Sequence, residues 1–138
     1  MRGRTLRLTI TPVPFPHLMK SKVGHRITFV QANPIDFLKS LRNQKTFDGA
    51  VLAYCIYYMT SPTTLHNTFC ALYSASGIRK IYVAEYALTA SHPESFPHVL
   101  AVFMQAAVEV HKDGEKSYSN VRTVLGSDEI IKLAREVG

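Results

Sequence analysis

The segment from Phe47 to Ile56 constrains the fold more than any other part of this sequence. It is apolar almost without interruption, and its apolar residues do not alternate with polar ones. This pattern is typical of a central strand in a parallel sheet, where both faces of the strand are covered. The segment is too short for a membrane span, which needs about 20 apolar residues. We therefore expect this segment to lie inside a sheet and the chain to have no membrane partner.

Helices are predicted on both sides of this strand. Asn33 and Pro34 are suited to the cap and the first position of one helix. Ser61 and Pro62 have the same roles in a second helix, which Gly77 ends. Apolar residues recur at helical spacing after each of these starts.

Further strands are predicted at residues 26–31 and 80–86, a long helix near Pro93, and a short helix capped by Ser127. The alternation of strands and helices predicts an α/β fold with three layers, in which helices flank a mostly parallel sheet. One stripe of the long helix is expected to pack in the core, and it comprises Phe96, Val99, Leu100, Phe103, Ala106, Ala107 and Val110.

Charge is distributed unevenly along the chain. Residues 1–35 contain six Lys or Arg and no acid, whereas residues 36–138 contain ten of each sign. A frayed charged terminus is the simplest interpretation. Contact with nucleic acid and a mitochondrial targeting segment are the alternatives.

The cysteine and histidine content argues against a metal site. Cys55 and Cys70 both lie in apolar stretches, which favours free thiols in a reducing compartment and a cytoplasmic location. His66 and Cys70 have the spacing of a helical metal pair, but no further cysteine or histidine completes a set of ligands. We expect no metal.

Several short segments carry a resemblance to a known family. They are residues 25–29, 33–38, 47–52, 82–88, 119–123 and 134–138. Together they resemble the later half of a Rossmann-like, class I S-adenosylmethionine-dependent methyltransferase, and most of all an uncharacterised fungal group of that class. The similarity covers roughly residues 17–138. It implies a partial methyltransferase-like α/β domain at residues 25–138, preceded by a basic, proline-containing arm at residues 1–24 with one strand.

The resemblance also implies which family elements are absent from this sequence. The family's first strand ends in a glycine-rich turn and its second in an acid that holds the ribose, but the seven glycines form no G-x-G and no acid precedes Asp36. The family's last strands would follow Gly138. The expected protein is therefore a truncated or catalytically impaired methyltransferase with an incomplete fold, whose binding of S-adenosylmethionine is weak or absent. The alternative is a non-catalytic interaction module, either a pseudoenzyme subunit or a nucleic-acid-associated protein.

The resemblance places candidate site residues at the carboxyl ends of the strands, where ligands bind in parallel sheets. Candidates for the cofactor side are Asn33, Asp36, Tyr54 and Cys55. Candidates for the substrate side are Tyr57, Tyr58, Glu85, Asn120 and Arg122. No residue is assigned as catalytic.

Each candidate also has a structural interpretation. Asn33 suits a helix cap, the tyrosines suit the core, and Glu85 suits a salt bridge or an exposed strand end. Asn120 and Arg122 suit a solvated loop.

The missing first strand implies an open slot in the sheet. In the family that strand lies between the strands predicted here at residues 26–31 and 47–56. Residues 4–11 alternate between apolar and polar side chains, so we predict a strand that pairs with the sheet in or beside the slot. Strand edges left bare would favour a homo-oligomer.

Overall fold

Strands and helices alternate along the chain, as the sequence predicts. The computed structural model describes residues 5–9, 16–40, 47–112 and 119–138. The strands are β1 (Thr5–Thr9), β2 (Ile27–Gln31), β3 (Gly49–Ala53) and β4 (Lys80–Ala84). The helices are α1 (Pro16–Met19), α2 (Pro34–Ser40), α3 (Pro62–Ser74), α4 (Phe96–Val110) and α5 (Ser127–Arg135), with 3-10 turns at Gly24–Arg26 and Pro93–Ser95.

All four strands pair in parallel, in two separate two-stranded sheets. Thr5 of β1 lies opposite Ile27 of β2, and Gly49 of β3 lies opposite Lys80 of β4. Among the described residues, no strand joins the two pairs. The strand predicted within residues 4–11 is thus confirmed for residues 5–9, and its partner is β2. Arg4, Ile10 and Thr11 lie outside the described residues.

Helix α3 forms the centre of the core, because its apolar stripe is almost completely buried. Leu65 and Phe69 on this helix, together with Ile56 before it, are the largest fully buried side chains. The Oγ of Ser61 accepts a hydrogen bond from the Thr64 amide at 3.2 Å, which confirms the predicted cap. Gly77 follows the helix with φ 105°, a left-handed conformation that glycine adopts without strain.

The expectation that both faces of β3 are covered is wrong. Leu52 faces the core and is buried, but Val51 on the opposite face is 71% exposed. Tyr82, which is paired with Val51, is exposed on the same face of β4. An apolar run shows that both faces of a strand can be covered, but the neighbouring elements decide whether they are. In the described structure no helix covers this face of the sheet.

The long helix also departs from its expected packing. Val99 and Val102 are its buried residues, and Val102 belongs to the core cluster. Val102 is not part of the predicted stripe, and the large residues of that stripe other than Val99 are exposed, namely Phe96, Leu100, Phe103 and Val110. The helix was predicted correctly, but the face of α4 that meets the core differs from the predicted stripe.

The start of α5 differs by one residue from its predicted position. Ser127 is the first helical residue, and Gly126 is the cap. The Glu129 carboxylate accepts a hydrogen bond from the Gly126 amide at 2.7 Å. An acid in the first helical turn therefore satisfies a backbone amide that has no partner within the helix.

Candidate functional site

The candidate site begins where β3 ends. The Tyr54 amide donates a hydrogen bond to the carbonyl of Ala84 at 2.8 Å, which continues the pairing of β3 with β4 by one residue. Tyr54 has φ 52°, and it is the only described non-glycine residue with a positive φ. This conformation costs roughly 1–3 kcal/mol and is concentrated at functional sites. The chain turns sharply here, and Tyr54 is left 55% exposed.

Glu85 connects the end of β4 to the turn after β3. Its Oε2 accepts a hydrogen bond from the Ile56 amide at 2.8 Å, and its Oε1 accepts one from the Tyr86 amide at 3.0 Å. The carboxylate is half-buried, and neither ion pair in the described part of the chain involves it. The salt-bridge interpretation of Glu85 is therefore wrong. Backbone amides, rather than a basic side chain, stabilise the charge.

Tyr57 fixes the second contact between the two strand ends. Its side chain is buried, and its hydroxyl donates a hydrogen bond to the carbonyl of Tyr86 at 2.7 Å. The carbonyl of Tyr57 accepts hydrogen bonds from the amides of Arg122 and Thr123, at 2.7 and 3.2 Å. The loop at residues 119–126 is thereby held against the turn after β3. Arg122 also has a buried Nε without a hydrogen-bond partner among the described residues.

The electrostatics of this region disfavour additional negative charge. Burial, with a smaller contribution from the Glu85 carboxylate, raises the pKa of the Cys55 thiol from 9.0 to about 11. The same two causes, in the same order, raise the pKa of Tyr57. Both groups stay protonated at neutral pH. Because the thiolate is the reactive form of cysteine, Cys55 is a poor nucleophile in this environment.

Three aromatic rings lie in contact with one another, with their planes tilted by 37° and 51°. The ring centroids of Tyr54 and Tyr86 are 4.7 Å apart, and those of Tyr86 and His98 are 4.4 Å apart. We call Tyr54, Tyr86 and His98 the aromatic platform. The sequence analysis did not select Tyr86 or His98 as site residues. Tyr86 directly follows Glu85 at a strand end, which was a usable signal, whereas His98 lies in the first turn of α4 and had none.

Asn33 and Asp36 lie in a second region. Asn33 Oδ1 accepts hydrogen bonds from the amides of Ile35 and Asp36, at 2.9 and 3.4 Å, so Asn33 caps α2 as its structural interpretation predicts. Both residues line a groove of about 510 Å³ between α2 and α3. No hydrogen bond among the described residues links this groove to the strand ends.

The structure thus brings only some of the nine candidates together. Tyr54, Cys55, Tyr57, Glu85 and Arg122 meet at the ends of β3 and β4, and this set together with Tyr86 and His98 is the candidate site. Tyr58 and Asn120 are exposed near it in sequence. What the nine residues bind stays a prediction.

The remaining features of the described chain concern metals and membranes. No group of three or more His, Cys, Asp or Glu in the described ranges could hold a metal ion. Cys70 Sγ lies 3.8 Å from Nδ1 of His66, which is a contact between neighbouring turns of α3. None of the helices described is long and apolar enough to span a bilayer.

One solved structure shares this architecture over most of the chain. It is a cyclopropane-fatty-acyl-phospholipid synthase-like protein from Lactobacillus casei, with a TM-score of 0.73 and 24% sequence identity. The match covers 88% of this chain and 43% of that protein, so the chain spans less than half of the length of its structural neighbour. Over the matched residues the chain therefore has the same α/β fold as that protein. No family model matches the sequence, and no curated protein matches it.

Proposed function

We propose that this chain is an S-adenosylmethionine-dependent methyltransferase-like protein with impaired catalysis, which supplies one side of the cofactor pocket. One observation supports the proposal above the others: the candidate site lies at the carboxyl ends of two parallel strands in a methyltransferase-like fold. Parallel sheets of this kind bind their ligands at that edge. The compartment that we propose is the cytoplasm, because both described cysteines are free and half-buried.

The described residues could contact only one part of the cofactor. S-adenosylmethionine would supply an electrophilic methyl group, and exposed tyrosines beside a carboxylate suit its positively charged sulfonium. The sequence has no glycine-rich turn and no acid before Asp36 that could hold the rest of the molecule. Cys55 is protonated, and both Glu85 oxygens already accept amide hydrogen bonds. No described residue is therefore assigned as a catalytic base, and no transfer step is derived.

Titration with S-adenosylmethionine tests this proposal. We expect calorimetry to detect no micromolar binding, because half of a site contributes only part of the binding free energy. Amide NMR spectra at millimolar ligand should still change at residues 54–58 and 84–86. S-adenosylhomocysteine, which has no sulfonium charge, is the matched control and should perturb these amides less. Micromolar affinity would contradict the proposal that catalysis is impaired. Unchanged amide chemical shifts at millimolar cofactor would contradict the proposal that these residues form one side of the cofactor pocket, which we call the half-site.

A second candidate function, an interaction module that forms a homo-oligomer, is favoured by the edge of β3 that pairs with no described strand. This strand pairs with β4 along one edge and with no other described strand. Its residues, Gly-Ala-Val-Leu-Ala, include no charge that would discourage pairing with another chain. A second copy presents the same uncharged edge, so the two edges can pair antiparallel about a two-fold axis. Contact of the basic arm at residues 1–24 with nucleic acid stays a prediction.

Sedimentation equilibrium tests the homo-oligomer. We expect a concentration-dependent dimer in the unaltered chain and a monomer for Val51→Lys, because a lysine on an edge strand disfavours its pairing with another chain. Met104→Lys is the control, since Met104 is equally exposed but lies on α4. A monomer at every concentration, or loss of the dimer in the control as well, would contradict association through β3.

A further inference from the structure

The aromatic platform is open to solvent. Tyr54 is 55% exposed and Tyr86 is 49% exposed, although their rings are in contact with each other. The strained turn at Tyr54 and the hydrogen bond from its amide to Ala84 hold one ring in place. The bond from the Tyr57 hydroxyl to the Tyr86 carbonyl anchors the backbone of the other. Backbone hydrogen bonds on both sides therefore keep these two exposed rings next to each other.

An acidic residue, Glu85, adjoins the platform along the chain. Glu85 is adjacent to Tyr86 in sequence, and its carboxylate has no basic partner in the described part of the chain. The influence of this charge on Cys55 and Tyr57 indicates that its field reaches the turn after β3. A carboxylate and electron-rich rings in the same small region together attract cations.

Two other groups of the site can carry positive charge. The ring of His98 contacts that of Tyr86 at a tilt of 51°. Arg122 reaches the turn through its backbone amide, and no ion pair joins its side chain to Glu85 among the described residues. Neither group neutralises Glu85 by direct contact, so the negative charge remains available to a ligand.

We propose that the aromatic platform binds a small organic cation whose charge is spread over methyl groups, such as a quaternary ammonium or a sulfonium. Such a cation has no hydrogen-bond donor on its charged centre, and it interacts with ring faces and a nearby carboxylate rather than with polar side chains. The inference does not rest on the proposed function, because it concerns the charge of the ligand and not the reaction.

Titration with tetramethylammonium, followed by amide and tyrosine-ring NMR, tests the inference. We expect weak, saturable binding with shifts at Tyr54, Tyr86 and neighbouring amides. Tyr54→Leu and Tyr86→Leu should each weaken binding about two- to fivefold, which corresponds to the loss of one exposed cation–π contact. Glu85→Gln should weaken it further and reduce its dependence on salt. The spectrum of each variant shows directly whether the chain is still folded.

Two controls distinguish recognition of a cation from nonspecific hydrophobic binding. Tyr73→Leu removes an exposed tyrosine of α3 outside the platform and should leave the affinity unchanged. 3,3-Dimethylbutanol, an uncharged molecule with the same methyl groups as choline, should not bind. Equal binding of the neutral molecule, or equal weakening by Tyr73→Leu, would overturn the inference.

Competition identifies the source of the cation. If S-adenosylmethionine displaces tetramethylammonium and S-adenosylhomocysteine does not, the platform holds the cofactor sulfonium. If choline binds and the cofactor does not compete, the platform holds an ammonium group of another ligand. In the second case the cation site stands although the proposed half-site for the cofactor fails.

Discussion

Replacing Phe69 with alanine is expected to lower the free energy of unfolding by about 3–5 kcal/mol. Phe69 is 1% exposed, and it lies in the core cluster with Ile56 and Leu65. Removing its ring loses buried apolar area and leaves a cavity that the neighbouring residues fill only in part. A domain of this size is stable by roughly 5–15 kcal/mol, so the loss is a large fraction of the total. Urea unfolding followed by circular dichroism measures the change.

The control for this substitution is Tyr73→Ala on the same helix. Tyr73 is 66% exposed, and truncating an exposed side chain should change the free energy of unfolding by no more than about 0.5 kcal/mol. Similar losses in the two variants would show that α3 does not form the centre of the core. A loss below about 1 kcal/mol in Phe69→Ala would show that the site collapses around the missing ring.

The sequence predicted α3 correctly because the signals for this helix are local. Ser61 and Pro62 define its start, Gly77 follows its end, and an apolar stripe lies between them. The strand at residues 5–9 was predicted for the same kind of reason, since alternation needs no knowledge of distant residues.

The coverage of β3 and α4 could not be predicted in this way. Periodicity identifies residues that share a face, but it does not show which element lies against that face. Val51 and Phe103 both belong to apolar patterns, and both are exposed. Whether they are buried depends on elements far away in sequence, or on another chain.

The candidate site was predictable in position but not in its contacts. Tyr54 and Glu85 were selected because they follow strands, and the parallel pairing of β3 with β4 brings these ends together. The hydrogen bonds from the Ile56 amide to the Glu85 carboxylate and from the Tyr57 hydroxyl to the Tyr86 carbonyl each span 29 residues. No local pattern encodes such contacts. The interpretation of Glu85 as part of a salt bridge was wrong because the acid accepts hydrogen bonds from the backbone instead.

Removing the Glu85 carboxylate is expected to cause the second large loss of stability. Glu85→Ala leaves the Ile56 amide without its acceptor beside a fully buried side chain, and an unsatisfied buried amide costs about 1–3 kcal/mol. The turn after β3 should then open locally and exchange its amide hydrogens faster at residues 54–57. Glu94→Ala, at an exposed acid in the turn before α4, should change neither quantity appreciably.

Glu85→Gln separates the charge of Glu85 from its hydrogen bonds. Glutamine keeps one carbonyl acceptor but removes the negative charge, so the pKa of Cys55 should fall from about 11. It should remain above 9.0, because burial is the larger cause and persists in the variant. The rate of alkylation of Cys55 as a function of pH, measured in a Cys70→Ser background, reports this pKa.

The sign of the pH dependence of stability follows from the direction of the Cys55 shift. A thiol whose pKa is higher in the folded state than in the unfolded state stabilises the folded state at any pH at which the thiol is protonated in both states. That contribution is complete below pH 9 and is lost as the pH rises from 9 towards 11. The urea midpoint of the unaltered chain should therefore decrease over this interval, and it should decrease less in Glu85→Gln. An unchanged alkylation profile in Glu85→Gln would show that the Glu85 charge does not act on Cys55, and the site would then lack the electrostatic link between its two strand ends.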